Sequence, residues 1–409
     1  MTFLKINNFK IYSKVILFTL TILFLNSCNN YSRETISDEN VSKDNFNSKL
    51  NYPLLGVNKN ISQSSLNVKI LNRLQIFLEL KDSIPRSFEH WKESDFEKYM
   101  FPYNDLMYFE KSNYVEGYFY KPTVIEILKL EKEEHERLIK IAFIGNENGE
   151  NFLKGIYNII IDTDDFKFKR ILEHNTKNWK SYDIGNIQYF NSPLRQFDFQ
   201  KAETFNELNN TLAAFFDRTP RKITYYACTT PKELFEIMGY DYISNMYMAN
   251  TGALNETTSN IIFAGNNSET YPHELVHSYM SPKYFKTINN LRVLGEGFAS
   301  YIGGSNGKPY EILREDLKIL ISKKDIDFSE YLDPYYETQK KNELANTIGA
   351  LICERAIRLK GVQKFMEIFE KENLESSLKF IDLNLKNLDR ELKTELERPQ
   401  ILSLSILDN

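Results

Sequence analysis

The chain has 409 residues, 42% of them hydrophobic, and a formal net charge of −5. That apolar content is enough for a buried core and excludes a disordered chain, and the length allows two or three domains. An acidic balance without a basic face argues against a nucleic-acid binder, so the abundant tyrosine and phenylalanine read as core rather than as base-stacking platforms.

Residues 1–27 read as a processing segment. Lys5, Lys10 and Lys14 accompany an apolar run, residues 15–25, that is too short to span a bilayer. The run ends in "LNSC", which resembles the lipobox of bacterial lipoproteins, with Asn26 where another residue is usual. The resemblance implies cleavage before Cys28, lipid on its thiol, and a chain held in the cell envelope by a membrane anchor. An ordinary cleaved signal peptide is the other reading. Either one takes the mature chain out of the cytoplasm. Residues 28–51 are polar, nearly without aliphatics, and read as a tether.

Residues 52–197 are expected to form an α+β domain of unassigned role. "SLNVKILNRLQIFLEL" has helical apolar spacing. "TVIEILKL", "RLIKIAFIG", "GIYNIIID", "FKFKRILEH" and "IGNIQYF" read as strands of an antiparallel sheet, broken by "NENGEN" and "DTDD". His90, His135 and His174 are scattered and read as surface or core residues.

Residues 198–409 become mostly helical. "QKAETFNELNNTLAAFF" is an amphipathic helix and "RKITYYAC" a strand. "TPKELFEIMG" is a helix capped by Thr230 and ended by Gly239, and "SNIIFAG" is a second strand. Cys228 and Cys353 sit in apolar surroundings and read as buried thiols, a single bridge being the alternative in an oxidising compartment. The segment from Val362 supplies further amphipathic helices with solvated charged faces.

Between these lies "YPHELVHSYM", residues 271–280, holding two of the five histidines. On a helix capped by Thr270 or Ser268, with Pro272 in its first turn, positions i and i+4 share one face. His273 and His277 then point the same way, and Glu274 flanks them. Two imidazoles and an adjacent carboxylate suit Zn2+ with a general base beside it. A catalytic zinc needs a third protein ligand, and no histidine follows His277. Glu296, separated from His277 by eighteen intervening residues and set in the apolar run "LGEGFASY", is a carboxylate that needs a cation.

"HELVH", eighteen residues, then "EGFASY" resembles the H-E-x-x-H-x(18)-E pattern of gluzincin metallopeptidases, in their aminopeptidase N-like (peptidase MA-like) group. The likeness covers about residues 200–370, and residues 52–195 carry none. It implies a helical zinc peptidase domain with a small mixed sheet. One zinc would be held by His273, His277 and Glu296, Glu274 would be the general base, and "SNIIFAG" would be an edge strand pairing with a peptide substrate. The family's G-x-M-E-N reads "GALNE" here, so Glu256 is the residue that would reach a substrate amine. Asn346 stands where the family has a tyrosine for the oxyanion, with Tyr335 and Tyr336 as substitutes. The leading expectation is a zinc-dependent peptidase acting on peptide or protein. The alternatives are a catalytically weakened, zinc-containing binding module and a binding lipoprotein without metal.

Overall fold

The structure, a computed structural model, describes residues 52–82, 88–112, 117–131, 133–247, 250–280, 291–332 and 339–401. The signal segment, Cys28, the tether to residue 51, Tyr335 and Tyr336 lie outside the described residues. The strands are β1 (Gly56–Val57), β2 (Lys121–Lys129), β3 (Glu136–Glu147), β4 (Glu150–Asp162), β5 (Lys167–Lys169), β6 (Lys180–Ile184), β7 (Ile187–Asn191), β8 (Ile223–Ala227), β9 (Tyr240–Ile243), β10 (Ala253–Glu256) and β11 (Ile261–Ala264). The longer helices are α1 (Ser65–Leu80), α2 (Phe199–Phe215), α3 (Pro231–Met238), α4 (Pro272–Tyr279), α5 (Glu296–Gly303), α6 (Tyr310–Lys323), α7 (Gln339–Lys360), α8 (Leu374–Phe380) and α9 (Leu388–Glu397). The fold is α+β, with two sheets, each in its own compact unit.

The first unit takes the described residues to 177 together with 235–247. Its sheet runs β1-β2-β3-β4-β5, with β9 also on β4, and every pairing is antiparallel except β1 on β2. The side chain of Ser64 caps α1 by accepting the Asn67 N–H at 3.2 Å. The helix buries Ile70, Leu74 and Phe77, and Phe77 meets Trp91, Tyr103 and Phe168 with ring centroids 5.2–5.6 Å apart.

The second unit takes residues 178–234 and the described residues from 250 onward. The division expected at 197/198 is thus displaced. "IGNIQYF" supplies β7 of the second sheet, and β9 belongs to the first. "FKFKRILEH" is strand only over Lys167–Lys169, then a helical turn, Leu172–Thr176. Strand pairing joins segments far apart in sequence, so local pattern carries no sign of it.

The second sheet runs β10-β11-β8-β7-β6, with β11, β8 and β7 parallel and antiparallel pairs at both ends. Its two faces separate by strand alternation. On one, Tyr189, Tyr225 and Ile262 join the core formed with α2, α4, α5 and α7. On the other, in-register Phe190, Tyr226 and Phe263 stack across three strands, centroids 5.0 and 5.1 Å apart. Asp198 caps α2, and Thr230 caps α3 by accepting the Glu233 N–H at 3.2 Å, as expected. Gly239 ends α3 at φ +114°. Cys228 and Cys353 are buried free thiols. Among the described residues, no helix is long and apolar enough to cross a membrane.

Candidate metal centre

Helix α4 opens at Pro272, whose missing N–H costs nothing in a first turn. Tyr271 holds the cap position and makes no side-chain cap bond. The expected caps are used otherwise: Ser268 Oγ accepts the Thr270 N–H at 3.3 Å, and the Thr270 carbonyl accepts from Asn266 Nδ2 at 2.8 Å. The loop before the helix closes on itself, so neither side chain reaches the first turn.

Leu275, Val276, Ser278 and Tyr279 sink one side of α4 into the core, leaving Glu274 and His277 half-buried. The imidazole rings of His273 and His277 stand 4.9 Å apart at 72°. His273 Nδ1 lies 2.7 Å from the Gly304 carbonyl. A carbonyl only accepts, so Nδ1 carries a proton, and in the neutral ring Nε2 is the nitrogen left with a lone pair for a metal. Gly304 can offer that carbonyl because it turns out of α5 at φ +76°.

Glu296 begins α5, directly after a π-helical turn, Leu291–Gly295. Its Oε2 lies 3.2 Å from His273 Nε2 and its Oε1 3.5 Å from His277 Nε2. Glycines allow this approach. A β-carbon on Gly303 would stand 2.1 Å from the His273 nitrogen, and one on Gly297 would stand 2.4 Å from the Gly349 carbonyl carbon. Helix α5 is thereby pressed between α4 and α7.

These three groups could hold a metal ion. The donor atoms of His273, His277 and Glu296 all lie within 4.8 Å of one another. Zinc bonds of about 2.0–2.1 Å in a tetrahedron space their ligand atoms by about 3.3 Å, near the two separations above, each of which is made by a different Glu296 oxygen. Without a metal the charges lean on each other. Burial opposes ionisation of Glu296, but the charges of His277 and His273 and their bonds to it hold its carboxyl well below the usual range. Burial lowers the His273 pKa, yet the bond to Glu296 and the charges of Glu296 and Glu274 carry it up to about 9.

The edge strand is corrected. "SNIIFAG" forms β11, which is paired on both sides, by β10 and by β8. The edge is β10, and it carries Asn255 and Glu256. Asn255 Nδ2 donates to the Glu274 carbonyl and, at 2.8 Å, to Ser278 Oγ. Alternation along the strand then turns the buried Glu256 to the opposite face. Asn255 reaches the histidine helix. Asn346 lies half-buried on α7.

Four contributors were not foreseen: the Gly304 carbonyl, the Asn255 amide, the glycines of the α5 crossings, and Tyr271. Burial and then the charge of Glu274 push the Tyr271 hydroxyl up, so this phenol lies in the field of that carboxylate. The glycine-flanked "EGFASYIGG" was the one sequence signal that a close crossing was coming. No protein-family model matches the chain, and no curated protein matches its sequence.

Proposed function

We propose that the chain is a zinc-dependent peptidase. One observation carries the reading: two imidazole nitrogens and a carboxylate converge at ligand spacing, while the neighbouring carboxylate of Glu274 is not a member of the cluster. A purely structural zinc site is closed by four protein ligands and has no use for a base beside it.

His273, His277 and Glu296 would hold the ion. When bound, zinc supplies a Lewis acid that acidifies a water and polarises a peptide carbonyl. Glu274, next to His273, would be the base that accepts a proton and returns it to the departing amine. The Gly304 carbonyl keeps His273 in the ligating tautomer. Among the described residues no strand pairs with the outer side of β10, which would offer backbone donors and acceptors to an extended peptide. A lipid on Cys28 would keep the enzyme at a bacterial membrane, within the cell envelope.

Asn346, in the place of the family's tyrosine, favours one second reading: a zinc-containing binding module with little catalytic power. The test is metal content. Residues 29–409, dialysed against metal-free buffer, should keep about one zinc per chain, and a His277→Ala control should lose it. A folded sample that takes up no zinc even when supplied rules out both readings. Peptide-library cleavage that Glu274→Gln abolishes selects the peptidase over the binding module.

A further inference from the structure

The strands β7, β8 and β11 run parallel, and their starts lie side by side. Asn186, Lys222 and Asn260 each immediately precede one of them. The ladder closes there, the Ile223 N–H reaching the Asn186 carbonyl at 3.0 Å and the Thr224 N–H the Asn260 carbonyl at 2.9 Å. These three residues, with Arg218, Thr219, Pro220 and Arg221, line a cavity of about 700 Å3. Among the described residues that line it, three are cationic and none is acidic, in a chain whose net charge is −5.

Arg221 is held in place. The segment "DRTPRK" is a short connection from α2 to β8, stiffened by Pro220. The Arg221 backbone N–H donates to the Tyr279 hydroxyl at 3.0 Å, and its guanidinium lies 5.8 Å from the centre of that ring. Tyr279 is itself bonded to the Asn209 carbonyl at 2.9 Å. Burial and then the charge of Arg218 push the Arg221 pKa down, against a smaller opposing contribution from Tyr279. Cations gathered along one open groove raise the local positive potential and favour an anion there.

We infer that this cavity is an anion site that takes a phosphate group on Arg218, Arg221 and Lys222, at the end of the sheet where the parallel strands begin. Arginine forks bind tetrahedral oxyanions in pairs, and Lys222 adds a point charge at the rim. The asparagines at the strand starts supply neutral amides. The volume leaves room for a substituent on the phosphate, which comes from a soluble phosphate compound or from a phospholipid headgroup.

The test uses the full chain and an Arg218→Gln/Lys222→Gln variant. Inorganic phosphate should raise the parent's melting temperature beyond sodium chloride of equal ionic strength, and the variant should lose that rise. By titration calorimetry its apparent Kd for phosphate should weaken about tenfold or more. Zinc content should stay the same in both. Co-sedimentation with vesicles containing phosphatidylglycerol, but not with pure phosphatidylcholine, and only for the parent, assigns the headgroup as the source. Phosphate binding without vesicle binding assigns a soluble ligand. If the double variant does not fold, the exposed Lys222→Gln alone carries the comparison. A parent that responds equally to phosphate and chloride and ignores both vesicles overturns the inference.

Discussion

Gly297 and Gly349 meet where α5 crosses α7, with no room for a side chain on either. A β-carbon on Gly349 would stand 2.3 Å from the Val293 carbonyl oxygen and 2.9 Å from the Gly297 α-carbon. Both obstacles are backbone and cannot rotate away. The crossing therefore sets the position of Glu296, the residue next to Gly297, relative to the histidines of α4. Gly349→Ala should destabilise the chain by about 1–3 kcal/mol, in the range for overpacking. It should also weaken zinc retention, although residue 349 touches no ligand. Urea denaturation and zinc quantification of the same sample check the two effects together. Unchanged zinc retention in a destabilised variant would separate the crossing from the site.

Glu274→Gln keeps the shape of the side chain and removes its basicity. The variant should bind zinc as the parent does and lose about 10²–10⁴ in the rate of peptide hydrolysis, the usual weight of a general base. Single-turnover cleavage of a library-selected peptide measures it. An undiminished rate would remove Glu274 from the mechanism.

Asn255 ties the edge strand to the histidine helix through two bonds from one amide. Asn255→Ala removes that donor while the Glu274 carbonyl keeps the Ser278 hydroxyl, 3.4 Å away, so the cost is that of a lost hydrogen bond, about 0.5–1.5 kcal/mol. Asn255→Asp should do worse near neutral pH, because a carboxylate there faces the same carbonyl. Chemical denaturation of the two variants beside the parent gives the order. Equal stability of Ala and Asp would show that the amide proton is not what matters.

Asp95 gives the first unit a pH dependence of defined sign. Burial raises its carboxyl to about 6, against the opposing bond from the Arg170 N–H, 2.6 Å away, and the Arg170 charge. A folded-state pKa above the unfolded one means that the folded chain binds the proton more tightly. This contribution is fully present below about pH 4 and is lost as pH rises through about 6. Asp95→Asn should therefore be more stable than the parent at pH 7, by up to about 3 kcal/mol, with the gap closing towards pH 4. Denaturation midpoints across that range test it, and a gap that widens on acidification refutes the sign.

Much of the local structure was legible in the residues alone. The apolar spacing of α1 and α2, the cap at Thr230 and the stop at Gly239 are decided by near neighbours in the chain. The placement of His273 and His277 on one face is likewise a property of helix geometry, which four-residue spacing already contains. Glu296 could be singled out because a carboxylate in an apolar run needs a cation, whatever the fold.

Other features depended on contacts between distant segments. Sheet order made β10 the edge and buried β11 inside, since pairing is chosen by faces and registers that no single strand encodes. The same pairing moved β7 to the second unit and β9 to the first. Alternation within β10 turned Asn255 towards α4 and Glu256 away, a matter of register by one residue. The carboxylate of Glu296 stands 3.2 Å from one imidazole and 3.5 Å from the other because glycines let α5 press against α4 and α7. The sequence by itself determined which groups could share a metal ion. Only the tertiary structure decided that they meet, because the fit of backbone against backbone at a helix crossing is a property of the assembled core.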